Sequence, residues 1–198
     1  MQISERSQSD WQSGLTPPER VCLFQIATDT LSVCVCHPDQ EIAWDAYALT
    51  TALREPRASF VTLHLSDGAL RGCIGTLEPV GPLYRSVHDN TVSAALRDPR
   101  FRPVQPEELA YIRLTLSILS APQPIAGPEG FTVGAHGIII EKQGRRAVFL
   151  PEVAAEQGWT REETLCALCQ KAGLPIDAWQ SDAHLSIFHT AILSGSST

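Results

Sequence analysis

The strictest constraint on the fold is a run in which apolar and polar side chains alternate residue by residue. The apolar members occupy every second position: Ile112, Leu114, Leu116 and Ile118. Successive side chains of a β-strand point to opposite faces of its sheet. The run therefore predicts a long strand with one buried face and one polar face.

Two β-hairpins are predicted on either side of this strand. Residues 61–65 alternate in the same way, residues 66–68 (Ser-Asp-Gly) favour a turn, and residues 70–77 continue as a second strand. Residues 137–141 and 145–150 flank the sequence Lys-Gln-Gly, which predicts a second hairpin.

Three helices are predicted from their terminal residues. Thr16 is suited to cap the first, and Pro82 begins the second, which stops before Pro99. The third opens with the capping-box sequence Thr-Arg-Glu-Glu at residues 160–163 and ends at Gly173. Hairpins mixed with helices indicate an α/β (α+β) fold with a mixed, largely antiparallel sheet flanked by helices.

The domain boundaries follow from these elements. Residues 1–14 are polar and are predicted to form a flexible lead-in, residues 15–193 a single domain, and residues 194–198 a tail. Within the domain, residues 42–54 are compatible with either a short helix or an irregular segment. A last strand is predicted over residues 185–191.

Composition narrows the class of protein. The chain has 198 residues, 43% of them hydrophobic, and a formal net charge of -7 with scattered basic residues. Nucleic-acid binders usually carry a basic stripe that neutralises phosphates, so nucleic acid is not expected as a partner. No apolar run approaches the length that spans a bilayer, and the first residues do not resemble a secretory signal. We therefore expect a cytoplasmic protein without a membrane partner.

The six cysteines need an interpretation other than disulfides in that compartment. Cys166 and Cys169 are spaced like zinc ligands, and Cys34, Cys36 and His37 add further candidates. However, Cys166 and Cys169 lie on a predicted helix, whereas structural zinc usually takes such a pair from a turn. We therefore assign no metal site, and the sequence indicates no particular cofactor.

The segment Arg71-Gly72-Cys73-Ile74-Gly75 has the strongest chemical character. Two glycines within a strand usually mark a bulge or a close approach to the backbone. Arg71 could grip a carboxylate or phosphate by two hydrogen bonds and favour the Cys73 thiolate. The alternative is structural: glycines that fit a tight sheet, a small core cysteine and an arginine in an ion pair.

With Leu70, this segment resembles the signature of the AMMECR family, which is named for the Alport syndrome, mental retardation, midface hypoplasia and elliptocytosis chromosomal region. Further similar blocks extend the resemblance roughly from Val21 to Phe188. They are Ala58 to Leu65, Thr76 to Pro79, Asp98 to Phe101, Pro103-Val104, Glu108-Leu109, Leu119 to Pro122, Gly134 to Ile138, Leu150 to Ala154, Trp159 and Lys171 to Pro175.

The resemblance implies a larger lobe and a smaller lobe, with the signature near a cleft between them. It implies no settled activity. Bacterial and archaeal members often occur in a set with a Memo-like protein and a radical S-adenosylmethionine protein. These two are therefore the expected partners, in a shared modification pathway.

Candidate site residues follow from both lines of argument. Cys73 is the candidate nucleophile or redox thiol, and His136, in a loop within a family-like block, is the preferred candidate base. Arg71, Gly72 and Gly75 are candidate substrate-binding residues. Glu78 and Arg100, which lie in the similar blocks, are two further candidate substrate-binding residues.

Three functional hypotheses remain open. The leading one is an enzyme or enzyme component, in which Arg71 holds an anionic group and Cys73 reacts. The second is a non-catalytic module that presents a protein or peptide to the other members of the set. The third is a sensor that binds a small ligand without turnover. The motifs typical of nucleotide hydrolases, Rossmann dehydrogenases, zincins and α/β-hydrolases are absent from the sequence.

Overall fold

The computed structural model of the chain describes residues 3–7 and 9–195. Its helices and strands, in chain order, are β1 (Ile3–Ser7), α1 (Pro17–Cys36), α2 (Thr51–Arg54), β2 (Ser59–His64), β3 (Leu70–Gly75), α3 (Leu83–Leu96), β4 (Arg113–Leu119), β5 (Gln123–Ile125), β6 (Gly137–Lys142), β7 (Arg145–Phe149), α4 (Pro151–Glu156), α5 (Arg161–Lys171), β8 (His184–Phe188) and β9 (Thr190–Gly195).

The strands form two antiparallel sheets flanked by helices, which confirms the predicted α+β fold and divides the predicted sheet into two. The five-stranded sheet has the order β1-β9-β4-β2-β3, and the four-stranded sheet has the order β5-β8-β6-β7. The chain divides into two compact units. The described parts of residues 1–6, 12–119 and 191–198 form the first unit, and those of residues 7–11 and 120–190 form the second.

The first unit has its core between one face of the five-stranded sheet and the helices α1 and α3. The alternating strand is confirmed as β4, and it pairs with β2 so that Val61 faces Leu116 and Leu63 faces Leu114. Val61, Leu63 and Leu116 are fully buried and belong to one cluster with Leu23 of α1. Burial of such side chains contributes roughly 1.5–3 kcal/mol each.

Helix α1 begins as predicted, and its first turn is tied to a distant loop. A capping box joins Thr16 and Glu19: the backbone N–H of Thr16 donates to Glu19 Oε2 at 2.8 Å. The second oxygen of Glu19 accepts a hydrogen bond of 2.6 Å from the Thr50 hydroxyl. These hydrogen bonds hold the pKa of Glu19 below its usual value. The undecided segment 42–54 contains a 3₁₀ turn at Trp44–Ala46 and the short helix α2.

The second unit packs α5 on the four-stranded sheet. Leu165 and Leu168 of α5 are fully buried against Ile138 and Ile140 of β6. The capping box at the start of α5 is confirmed, since the Glu163 backbone N–H donates to the Thr160 hydroxyl. The predicted hairpin of β6 and β7 is also confirmed. Its turn residues Gln143 and Gly144 both have positive φ, as a two-residue hairpin turn requires.

Two expectations about the ends of the chain are wrong. Ile3–Ser7, expected within the flexible lead-in, is a strand, and Ile3 is buried in the core. Glu5 of this strand accepts a hydrogen bond from the Ser13 backbone and pairs with Arg20 at 3.3 Å, so its polar side chains are held by the protein. β9 likewise runs on to Gly195 within the expected tail. Residues 1, 2 and 8 of the predicted lead-in and residues 196–198 of the predicted tail lie outside the described residues.

The single last strand predicted over 185–191 is two strands that belong to different sheets. The chain leaves β8 at Phe188 and enters β9 at Thr190. His189 between them exchanges two hydrogen bonds of 2.9 Å with Ser120: its N–H donates to Ser120 Oγ, and its carbonyl accepts from the Ser120 N–H. Alternation of side chains continues through the crossover, so the pattern could not show the change of sheet. The short elements β5 and α4 were not predicted.

Candidate functional site

The signature lies on β3, at one edge of the five-stranded sheet. β3 pairs with β2 so that Leu63 faces Gly72, Thr62 faces Cys73 and Val61 faces Ile74. Since side chains alternate along a strand, Gly72 lies on the helix-covered face. Cys73 and Thr62 lie on the opposite face.

The glycines of the signature accommodate groups of the protein itself. A Cβ atom added at Gly72 would lie 2.2 Å from the backbone oxygen of Ala94, so α3 packs directly on the strand's main chain. A Cβ atom added at Gly75 would lie 2.1 Å from the ring of Phe60, which faces it on β2. The sequence predicts a close approach to the backbone at these glycines, and the groups that approach are α3 at Gly72 and the Phe60 ring at Gly75.

Asp98 and Arg100 hold the outer edge of β3 at Cys73. The N–H of Cys73 donates to Asp98 Oδ2 at 2.9 Å, and its carbonyl accepts from Arg100 Nη2 at 3.1 Å. Arg100 also donates to both oxygens of Asp98, at 2.9 and 2.7 Å. The two side chains replace the missing neighbouring strand. Arg100 holds the pKa of the buried Asp98 carboxyl far below its ordinary value, with help from the Cys73 N–H.

The Cys73 thiol is half-buried on the polar face of the sheet. Its sulfur shares a hydrogen bond of 3.3 Å with the Thr62 hydroxyl. Thr115 of β4 faces Thr62 across the next strand pair. Thr62, Cys73 and Thr115 thus form a row across three strands, which we call the Cys73 row.

Arg71 is engaged in an ion pair. Its Nε donates to Glu108 Oε1 at 2.7 Å and its Nη2 donates to Glu108 Oε2 at 2.9 Å, while the residue is only 9% exposed. The pair lowers the pKa of Glu108 and raises that of Arg71. Nη1 of Arg71 is buried and has no partner within residues 3–7 and 9–195. Glu78, another candidate binding residue, is exposed in the loop that follows β3.

His136 belongs to the second unit, whereas Cys73 belongs to the first. Its Nδ1 accepts a hydrogen bond of 3.2 Å from the Thr132 N–H, which assigns the ring proton to Nε2 in the neutral form. The ring lies edge-on to His189, with centroids 4.9 Å apart. Burial, and then the neighbouring His189, lowers the pKa of His136, so the ring is held neutral near pH 7. The hydrogen bond from Thr132 and the contact with His189 fix the orientation of the His136 ring.

Sequence reasoning missed three residues of the site: Thr62, Asp98 and Glu108. Asp98 and Glu108 both lie in blocks that carry the family resemblance, so the signal was present without a role attached to it. Thr62 has the opposite phase to the core residues of its strand, and it faces Cys73 once the hairpin register is known. The sequence does not give the register between β2 and β3, and without it Thr62 could not be assigned to the site.

The described part of the chain holds no group of three or more His, Cys, Asp or Glu residues arranged to bind a metal ion. Of the spaced pair considered for zinc, Cys169 is fully buried in the core on α5. Burial raises the pKa of the Cys169 thiol, which opposes the thiolate form that metals require. No helix among the described residues is long and apolar enough to cross a membrane.

Fold and signature together define an α+β protein with two antiparallel sheets and an Arg-Gly-Cys-Ile-Gly edge strand held by an Asp-Arg clamp. Comparison with known proteins specifies the family: the AMMECR1 model matches residues 24–193, and the chain belongs to the AMMECR1 family.

The similar proteins include archaeal and bacterial relatives. A protein of Methanothermobacter thermautotrophicus is 45% identical over 137 residues, which cover 66% of this chain and 71% of that protein. A Thermotoga maritima protein is 37% identical over 155 residues, covering 78% of this chain and 83% of the relative. The crystal structure of an uncharacterized protein from Pyrococcus horikoshii matches with a TM-score of 0.76 and 34% identity, covering 86% of this chain and 88% of that one.

Proposed function

We propose that this chain is a binding component of a modification pathway and that it holds a partner protein through the Cys73 row. The proposal rests on one observation, that both arginines of the site already have carboxylate partners. Arg71 is paired with Glu108, and Arg100 is paired with Asp98. The charge of each guanidinium is therefore already balanced by a carboxylate, which weakens its attraction for an anionic substrate.

The surroundings of the thiol also favour binding over catalysis. A cysteine nucleophile is activated by a base or by a cation that stabilises the thiolate. Cys73 Sγ shares a hydrogen bond with the Thr62 hydroxyl, and the nearby Arg100, whose pKa is raised first by Asp98 and further by Cys73, is already paired with the Asp98 carboxylate. A hydroxyl is too weak a base to take up the thiol proton near neutral pH, so the row offers polar contacts without a proton acceptor.

The expected partners are the Memo-like protein and the radical S-adenosylmethionine protein that the family resemblance implies. Thr62, Thr115 and Cys73 are each partly exposed and lie side by side in register. A row of hydroxyl and thiol groups on a rigid sheet suits a polar, partly hydrated interface. The exposed Arg113 on β4 would lie at the rim of this interface.

Binding is tested by capture of the purified Memo-like partner on the immobilised chain. Thr62→Arg places a long charged side chain in the row and is expected to weaken capture at least tenfold. Ser32→Arg makes the same change at an exposed position of α1 and is expected to leave capture unchanged. Cys73→Ser should also retain capture. Equal capture by the Thr62→Arg and Ser32→Arg variants would contradict the proposal.

A second candidate is catalysis by Cys73, favoured by the partial exposure of the thiol and by the Arg100 guanidinium at the same residue's carbonyl. It is tested by alkylating the native protein with iodoacetamide between pH 6 and 9 and reading each of the six cysteines by mass spectrometry. The binding proposal expects Cys73 to react no faster than the exposed Cys36. Fast, selective reaction of Cys73 well below pH 8.5 would favour catalysis.

A further inference from the structure

A hollow that includes no residue of the Cys73 row lies between the loop that follows β3 and the helix α3. Its volume is about 300 Å³. Thr76 and Val80 line it on the loop side, and Ser86 and Asn90 line it on the helix side. The proposed interface through the Cys73 row makes no use of these residues.

A buried polar network forms the base of this hollow. Asn90 is 5% exposed, and its Nδ2 donates to the Ser59 carbonyl at 2.9 Å. The same nitrogen lies 3.2 Å from Ser59 Oγ and 3.3 Å from Ser86 Oγ. The Ser59 carbonyl also accepts from the Thr76 N–H at 3.0 Å, so both of its lone pairs are used.

The network fixes the orientation of the Asn90 amide. A carbonyl oxygen can only accept, so the atom of Asn90 that faces the Ser59 carbonyl must be the NH₂ group. The other atom, Oδ1, accepts no hydrogen bond from any described residue. Asn90 therefore offers the hollow a free acceptor.

The Ser86 hydroxyl supplies the hollow with a hydrogen-bond donor. Ser59 is fully buried, and the acceptor within reach of its O–H is Ser86 Oγ, 2.8 Å away. If Ser86 donated to Ser59 instead, the buried Ser59 proton would have no acceptor, at a cost of roughly 1–3 kcal/mol. Ser59 is thus the donor, and the Ser86 proton is left for the hollow.

The charges at the rim cancel. Arg85 lies over the Trp44 ring, with its guanidinium carbon 4.2 Å from the ring centroid. Asp89, one turn along α3, accepts a hydrogen bond of 2.7 Å from His88 Nδ1. Both Arg85 and Asp89 line the hollow. One cation and one anion give no net attraction for a phosphate or an ammonium ion, which favours a neutral ligand.

We infer that this hollow binds a carboxamide group. A carboxamide carries one acceptor and one donor side by side. Its oxygen accepts from the Ser86 hydroxyl, and its N–H donates to Asn90 Oδ1. Because the Ser59–Ser86–Asn90 network is held by the protein before binding, little conformational entropy is lost when the ligand arrives.

The test is an NMR titration of the ¹⁵N-labelled protein with butyramide, and with butyrate as the matched carboxylate. Butyramide should shift the Asn90 side-chain and Ser86 backbone signals in a saturable way and bind at least tenfold more tightly than butyrate. A parallel titration with N-acetylglutamine N-methylamide, against the glutamate analogue, asks whether a peptide side chain is a better source of the amide than a free small molecule.

A blocking variant makes the test specific. A Cβ atom added at Gly81, which lines the hollow, meets nothing within 4 Å, so a side chain can begin there, and Gly81→Leu is chosen to fill the hollow. It should abolish the butyramide shifts, whereas Gly81→Ala should retain them. Equal affinities for butyramide and butyrate, or shifts that persist in the Gly81→Leu protein, would overturn the inference. Thr62 does not line this hollow, so Thr62→Arg should keep the butyramide shifts while it weakens capture, and failure here is distinct from failure of the proposed interface.

Discussion

Arg71 and Glu108 form a two-point ion pair that ties the signature strand to the 3₁₀ turn Pro106–Tyr111. Glu108 also accepts a hydrogen bond of 2.8 Å from the Gln105 N–H, so one carboxylate both caps that turn and neutralises the arginine. The arginine of the signature therefore has a structural partner, which is the alternative that the sequence left open.

Removing one member of this pair should destabilise the protein. In the Arg71→Met variant, the Glu108 carboxylate, which is 31% exposed, keeps the Gln105 N–H but loses the guanidinium. We expect a loss of about 1–3 kcal/mol in the free energy of unfolding, measured by urea denaturation. Arg113→Lys, at an exposed position on β4, should change it by less than about 0.5 kcal/mol.

The double variant Arg71→Met/Glu108→Leu separates loss of attraction from exposure of an unpaired charge. Since both charges are gone, it should recover a good part of the stability that Arg71→Met loses. A double variant less stable than Arg71→Met would show that the hydrogen bond from the Gln105 N–H to Glu108 outweighs the cost of the unpaired charge.

Gly72→Ala should be strongly destabilising for a packing reason. The new Cβ atom would lie 2.2 Å from the Ala94 backbone oxygen, so α3 must move away from the sheet. Overpacking of this kind costs about 1–3 kcal/mol or more. Gly81→Ala is the matched control, because its Cβ atom meets nothing within 4 Å. Similar melting temperatures for the two variants would contradict this account.

The lowered pKa of His136 predicts that the free energy of unfolding depends on pH near neutrality. Its pKa is lowered in the folded protein, so the unfolded chain binds the proton more tightly. The neutral ring's contribution is present above the unfolded pKa of about 6.5 and is lost as pH falls through that value. His136→Gln should therefore flatten the fall in unfolding free energy between pH 7.5 and 5. An unchanged slope over that interval would count against a neutral His136 ring in the folded protein.

Local signals in the sequence predicted most of the elements. The capping residues Thr16 and Thr160 begin α1 and α5, and alternation located β2 and β4. These features depend on residues that are neighbours along the chain. The crossover at His189 and the strand β1 depend on which distant strand each segment joins, and a single sequence carries no direct record of that pairing.

The same distinction between local and distant contacts explains which features of the candidate site could be predicted. The signature glycines were recognised as positions of close approach, but the approaching groups, Ala94 and Phe60, come from other elements. Arg71 was recognised as a residue suited to grip a carboxylate, and the carboxylate it holds is that of Glu108. The chemical character of a residue was readable, whereas its partner was fixed only by the fold.

The lowered pKa of Asp98 predicts a second pH dependence of the unfolding free energy, at lower pH than the one expected from His136. The pKa of Asp98 is lowered in the folded protein, first by Arg100 and then by the backbone N–H groups of Cys73 and Arg100. The stability it contributes is therefore complete above the unfolded pKa of about 3.9 and is lost as pH falls from there toward the folded pKa. Asp98→Asn removes the charge and should cost about 1–3 kcal/mol at pH 7.

The measurement is the unfolding free energy of the wild-type and Asp98→Asn proteins from pH 7 to pH 2. The difference between them should stay constant down to about pH 5 and shrink below that. Glu163→Gln is a suitable control, since Glu163 also has a lowered pKa but lies on the surface at the start of α5, far along the chain from β3. A difference between wild type and Asp98→Asn that stays constant down to pH 2 would mean that Asp98 stabilises the Cys73 edge through geometry alone, with its charge contributing nothing.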